Sequence, residues 1–210
     1  MMLCTLADVK TMLGITGTDS DSKLELMIKK VSSEIESYLG YKLARKEYPE
    51  ELHSVNHRQL ISLNALPIQG VSEVTINNEP VTDYEILPCY ARWGRLYRGQ
   101  GWCGSYYTQG MTHDIVSGTL SIKVTYTAGY YLPGDENYTE GDDDSLPYAI
   151  SMACLNAIVM AYNYSINGAI GIKAHSEGGI SDTYGDDSST IGLSESCKKA
   201  LADYKMYGVA

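Results

Sequence analysis

The sequence predicts an α+β protein: mainly α, with a small antiparallel β-sheet inserted into a core of about four helices from the N- and C-terminal parts. Three observations predict it. Near the start, Leu24, Ile28, Val31, Ile35 and Tyr38 recur at helical spacing and make one apolar stripe. Between about 50 and 130 the pattern changes to alternation, most cleanly in Leu120, Ile122, Val124 and Tyr126. From Pro147 helical spacing returns, with Ile150, Cys154, Ala157, Ala161 and Tyr164 in one row. Both ends must bury their stripes, and they do so against each other, which makes the sheet an insertion.

Taken in order, Thr5-Leu6-Ala7-Asp8 is a capping box with the acid shortened to Asp, opening a short helix that stops at Gly14. The polar loop 17–21 supplies N-caps and a negative first turn for the second helix, which Gly40 closes. The segments 60–63 and 71–76 are short, β-branched and bounded by Pro67, Gly70 and Asn77-Asn78. The Asn pair tolerates positive φ and predicts a tight turn toward 81–86. Leu96-Tyr97-Arg98 is a further strand candidate, followed by 119–126. The stretch 133–145 is rich in Gly, Asp and Glu and is expected to be an acidic mobile loop. Pro147 suits the first turn of the long helix. Residues 167–193 are expected to form a long Gly/Ser/Asp-rich loop, before Ser194-Glu195 caps a last helix through about Tyr207. The expected organisation is therefore a helical core of 1–48 and 146–210 around an inserted β region of 49–132.

Composition narrows the function. The 210 residues are 44% apolar and 20% charged, the balance of a globular chain. A net charge of −10 argues against adhesion to DNA or anionic lipid through a basic surface, although DNA can pass along a negative wall that repels its phosphates. Eighteen Tyr, two Trp and no Phe suit wet interfaces, since Tyr buries a ring and keeps its hydroxyl in water; codon or lineage bias explains the count equally well. Cys4, Cys89, Cys103, Cys154 and Cys197 are an odd, scattered set without a CxxC pair, as expected of reduced thiols in a cytoplasmic protein. The start lacks the pattern of a signal peptide, and no apolar run has the length of a membrane span.

The motifs with possible chemistry are weak. Gly99-Gln100-Gly101-Trp102-Cys103-Gly104 matches GxGxxG, but Ser-Tyr-Tyr-Thr-Gln-Gly follows where a dinucleotide site needs a helix, so a glycine-rich hairpin loop is the better reading. His53 and His57 have helical metal-pair spacing, with Pro49 upstream, no intervening Glu and no third ligand; His113 and His175 stand alone in loop sequence. No metal and no cofactor is expected. Counted from Asp135, the EF-hand positions for Gly and Glu are held by Glu140 and Leu146, so a solvated acidic loop is the default there. No GxSxG is present and no Cys adjoins a His, and no catalytic residue is assigned. Trp93, Tyr97, Trp102, Tyr106 and Tyr107 form a candidate aromatic interface patch; the core of a small sheet is their simpler role.

The order of the motifs resembles the head–tail connector (adaptor) family of long-tailed bacteriophages and prophages. The resemblance lies in the opening LADVKTMLGI, the Asp-rich turn, and the second helix ending Ile35-Glu36-Ser37-Tyr38-Leu39-Gly40. It continues in 66–74, in Val124-Thr125-Tyr126-Thr127-Ala128-Gly129-Tyr130, in Leu146-Pro147-Tyr148-Ala149-Ile150 and in Gly179 to Tyr184. It implies a structural virion-assembly protein rather than an enzyme: a ring of twelve copies that docks under the portal protein, extends the DNA channel and carries a stopper or tail-completion protein. It further implies a virion neck location after assembly in the host cytoplasm. The portal-docking candidates carried over are Lys198, Lys199, Tyr204, Lys205 and Tyr207. Another neck component is the alternative, and a carbohydrate-binding module using the Trp/Tyr-rich sheet is the rival from a different class.

Overall fold

The computed structural model describes residues 2–55, 58–102, 120–166 and 193–206, with the backbone of paired strands at 105–108, 111–114, 174–177 and 180–183. The chain divides into two compact units: residues 1–40 with 131–210, and residues 41–130. The second is an insertion in the sequence of the first. The fold is mixed α+β, as the change of period predicts.

In the first unit, α1 (Leu6–Leu13) begins at the predicted capping box. Asp8 N–H donates to Thr5 Oγ1 at 3.1 Å, and Thr5 N–H donates back to Asp8 Oδ2 at 3.2 Å. Helix α2 (Asp21–Leu39) buries Leu24, Ile28, Val31, Ile35 and Leu39. Leu39 takes the core position that the spacing gives to Tyr38; the tyrosine lies half-buried beside it. Lys10 Nζ reaches Asp21 Oδ1 at 2.8 Å and ties α1 to the start of α2.

Helix α4 (Tyr148–Ile166) touches α1, α2 and α5 (Glu195–Leu201). Its buried residues are Ile150, Ser151, Ala153, Cys154, Leu155 and Ile158. Ala157, Ala161 and Tyr164, expected in the apolar row, are only half-buried. A helix without a single charged residue has no strongly polar face to set the phase of its stripe. Each fully buried Leu or Ile in this core contributes about 1.5–3 kcal/mol. Cys4 and Cys154 meet in it with sulfurs 3.8 Å apart, and the described cysteines Cys4, Cys89, Cys154 and Cys197 are free thiols. The Cys4 contact, then burial, pushes the Cys154 thiol far above the usual range, so it stays protonated.

The acidic stretch is a chain of turns. Leu132 N–H donates to Asp135 Oδ2 at 2.7 Å, Thr139 N–H to Ser145 Oγ at 3.1 Å and Ser145 N–H to Asp142 O at 3.0 Å. The stretch 167–193, read as a loop, contains a hairpin of β10 (Ala174–Glu177) and β11 (Ile180–Thr183), which places His175 in a strand. After α5 a 3-10 turn (Ala202–Tyr204) follows, so the last α-helix ends earlier than Tyr207.

In the second unit a four-stranded antiparallel sheet has the order β1 (Lys46–Ser54), β9 (Leu120–Ala128), β3 (Ile68–Ile76), β4 (Glu79–Pro80). A three-stranded sheet orders β2 (Leu60–Ser62), β6 (Arg95–Arg98), β5 (Tyr84–Glu85), with the short α3 (Pro88–Ala91) between β5 and β6. The hairpin β7 (Ser105–Thr108) and β8 (Met111–Asp114) completes the unit and holds His113 in a strand. Asn77 and Asn78 adopt φ of 55° and 66°, the predicted tight turn, but the chain then runs irregularly between β4 and β5. Ile122, Val124 and Tyr126 point from β9 into the core with Val74, Ile76, Leu96 and Trp102.

Gly129 explains its place in the Thr-Ala-Gly-Tyr motif. Its φ is +96°, and a Cβ there would lie 2.6 Å from the carbonyl oxygen of Ala44. Arg45 N–H donates to Tyr130 O and Tyr130 N–H to Leu43 O, so the two backbones are clamped at this crossing. Gly134 has a similar φ of +101° with open space around the missing Cβ. Gly129→Ala is therefore expected to destabilise the protein by about 2–4 kcal/mol and Gly134→Ala by about 1 kcal/mol, read from urea unfolding midpoints.

Candidate functional site

The electrostatic centre of the insert is a carboxylate held at the sheet edge. A bulge after Tyr48, with Glu50 at φ 45°, turns β1 so that Glu51 reaches inward. Tyr126 O–H donates to Glu51 Oε2 at 2.6 Å, and Asn64 N–H donates to Glu51 Oε1 at 2.9 Å. His53 Nε2 lies 2.7 Å from the same Oε1. Ala65 N–H in turn donates to the Tyr126 oxygen at 3.1 Å, and Tyr48 stacks on the Tyr126 ring at 5.2 Å. Burial raises the Glu51 pKa, but the hydrogen bonds from His53, Tyr126 and Asn64 outweigh it and hold the carboxyl below its ordinary value. Burial, and then the bond to Glu51, raises the Tyr126 hydroxyl well above the usual phenol range. His53 is thus a partner of Glu51; His57 lies outside the described residues. This network fixes the 63–67 loop to β1 and β9. Nothing in the sequence signals it except Tyr126 on the inward face of the alternating strand.

The aromatic candidates separate. Trp102 is 0% exposed, with its indole N–H shared between Gln59 O at 3.1 Å and Leu96 O at 3.3 Å. It is a core residue and offers no face to a sugar or a partner, which corrects its inclusion in the interface patch. Trp93 is 39% exposed with the Arg92 guanidinium 5.2 Å from its ring, and Tyr97 stacks on Tyr90 at 6.3 Å. Tyr106 and Tyr107 sit in β7, opposite His113 and Thr112; their side chains lie outside the described residues. The GxGxxG segment leads into β7 rather than a helix, but it joins β6 to β7, which belong to different sheets, so it is a link between sheets and not the hairpin loop expected.

The C-terminal candidates gather beside α2. Lys198 Nζ pairs with Glu195 Oε1 at 2.6 Å, and its carbonyl accepts from Tyr38 O–H at 3.2 Å. Lys205 Nζ sits 4.6 Å from the Tyr38 ring centre, and Met206 N–H donates to Leu39 O at 2.9 Å. Lys199 is exposed and Tyr204 half-buried; Tyr207 lies outside the described residues. A shallow groove of about 480 Å³ runs here, with Lys30, Glu34 and Tyr38 on one wall and Leu193 and Lys198 on the other. Among the described residues no group of three or more His, Cys, Asp or Glu is arranged to hold a metal, and no helix is long and apolar enough to cross a membrane.

What the molecule presents, then, is charged and aromatic surface on two compact units. The family model for head completion proteins matches residues 2–207, and the chain belongs to that family, in agreement with its resemblance to head–tail connectors. No curated protein matches the chain. Two solved chains share the fold. One is from the neck of an empty gene transfer agent particle computed with C6 symmetry, at a TM-score of 0.54 and 13% identity. The other is from the virion of a native gene transfer agent particle, at a TM-score of 0.52 and 13% identity. In both cases 99% of this chain and 92% of the other are covered.

Because the folded Glu51 pKa is depressed, its contribution is present well above the ordinary value of 4.5 and is lost as pH falls through the lower folded value. The stability advantage of wild type over Glu51→Gln should therefore shrink as urea midpoints are followed from neutral pH to about pH 3. Tyr126→Phe, which strands Ala65 N–H and one carboxylate oxygen, is expected to cost about 1–3 kcal/mol at neutral pH.

Proposed function

We propose that the protein is a structural subunit of the neck of a phage-like particle. It forms a ring beneath the portal, extends the DNA channel and provides the platform on which a stopper or tail-completion protein sits. The observation that carries this reading is the head completion family match over nearly the whole chain. The fold shared with a gene transfer agent neck chain supports the location. Twelve copies, the number the connector resemblance implies, is a multiple of the sixfold symmetry applied to that neck. The subunit assembles in the host cytoplasm and acts by contact, not catalysis.

The portal-facing element in this reading is the C-terminal helix and its 3-10 turn, through Lys198, Lys199, Tyr204, Lys205 and Tyr207. The physics favours an element held firmly but left with cations outward. Met206 strapped to the end of α2 and Lys205 stacked on Tyr38 supply the first; exposed Lys199 supplies the second. Side-by-side contacts between copies need not reach the roughly 1,000 Å² of a stable free interface. Copies seated on a symmetric portal are at high effective concentration, so modest contacts close the ring. DNA passes through without sequence-specific contact, since a net charge of −10 repels phosphate.

Negative-stain imaging of the purified protein, alone and mixed with the portal protein of the same particle, tests this. Rings stacked coaxially on the portal are expected, and Lys199→Glu with Lys205→Glu should weaken portal binding about tenfold or more. Protein that ignores the portal would instead place the subunit at another neck position, that of the stopper or tail-completion protein.

A further inference from the structure

Four of the five arginines, Arg58, Arg92, Arg95 and Arg98, belong to or border the three-stranded sheet of the insert, in a chain of net charge −10. Arg98 is already neutralised, its Nε 2.8 Å from Asp83 Oδ1. Arg92 is exposed over Trp93, Arg95 is half-buried, and among the described residues neither has a carboxylate partner. Around them lie Trp93 at 39% exposure, Ile86 at 40% and the stacked Tyr90–Tyr97 pair. An exposed Arg laid on an exposed Trp beside further aromatic surface is the composition of an interface anchor for an anionic partner.

The same chain carries a fitting anion. Residues 135–144 hold Asp135, Glu136, Glu140, Asp142, Asp143 and Asp144, all exposed, and no Lys or Arg occurs from 124 to 172. The turn hydrogen bonds already described fix this backbone, so little order is lost when it docks. We propose that the Arg92–Trp93 face of the insert docks against the acidic turn segment 135–144 of a second copy. This rests on the ring reading and specifies its contact. A rotational ring is built from heterologous interfaces, in which one patch meets a different patch of the neighbour. One cationic face and one anionic segment per chain satisfy that condition. Duplex DNA fits the same face less well, because few unpaired cations remain on it and the field of the whole chain repels phosphate.

Two charge-reversed proteins test the docking: Arg92→Glu with Arg95→Glu, and Asp142→Lys with Asp143→Lys. Arg92, Asp142 and Asp143 are exposed and Arg95 is half-buried, and unchanged circular dichroism and urea midpoints would verify the folds. Sedimentation velocity and negative stain at low ionic strength are run on wild type, each variant, and their equimolar mixture, each with the portal protein of the same particle. On the portal wild type should close into rings, and each variant alone should associate side by side at least about tenfold more weakly. The mixture should recover rings, since the acidic face of one variant meets the basic segment of the other. Variants that assemble as well as wild type would overturn the docking and leave the ring standing. A wild type that forms no ring even on the portal would overturn the ring and the docking with it. Retention of duplex DNA by wild type at physiological salt, lost in Arg92→Glu/Arg95→Glu, would make the face a DNA contact and overturn the second copy as its partner.

Discussion

The structure depends first on covering α4. Nineteen residues without a charge cannot be left in water, and a helix that is apolar almost all round needs neighbours on several sides. Helices α1, α2 and α5 provide them, from opposite ends of the sequence. Ile150, Cys154 and Ile158 lose all contact with solvent in the process. Since residues 1–40 and 131–210 are held together by this burial, the chain between them is free to leave the core and return. The insertion is a consequence of where the apolar helix lies in the sequence.

That freedom requires the insert to stabilise itself. It does so with its own core on the inner face of β9 and with one buried polar chain, from Ala65 N–H through Tyr126 to Glu51. A half-buried carboxylate without partners would be costly; one with three donors fastens a loop to a strand. The Gly129–Ala44 crossing does the same for the backbone at the point where the strands leave. Rigidity obtained this way matters for a subunit whose work is contact, because a surface that is already ordered loses little entropy on docking.

Much of this was legible in the residues and some was not, for identifiable reasons. The capping box at Thr5, the stripe of α2, the Asn77-Asn78 turn and the alternation of β9 are local signals that tertiary structure did not override. Strand β1 escaped because it is an edge strand broken by Pro49 and a bulge, with mostly exposed, charged residues and no apolar alternation. The buried row of α4 was misplaced because all its faces are similar. The hairpin at 174–183 was hidden by Gly and Ser, which weaken any period. Among the candidate surfaces, the C-terminal lysines could be named but not their gathering around Tyr38, which depends on α2 and the 3-10 turn meeting. Trp102 and Trp93 look alike in sequence; only packing makes one core and the other surface. The arginine face was not read from the residues, since its character depends on Arg98 being spent on Asp83 and Arg92 lying over Trp93.

The last step concerns how an acidic protein associates with itself at all. Copies of net charge −10 repel one another, and salt reduces that repulsion only beyond a Debye length of about 8 Å at physiological ionic strength. At contact distances the local arrangement decides, so a self-associating acidic chain needs its few cations concentrated where a neighbour presents carboxylates. Even scattering would give the same net charge and no attachment. Seven of the sixteen Lys and Arg lie in two places, Arg58, Arg92, Arg95 and Arg98 on or beside the three-stranded sheet and Lys198, Lys199 and Lys205 at α5 and its 3-10 turn. Two cationic groups on a chain of net charge −10 suit two different neighbours. In the proposed neck, one is the next copy around the ring and the other is the portal. The remaining acidic surface is then free to face DNA, whose passage requires a wall that does not hold it.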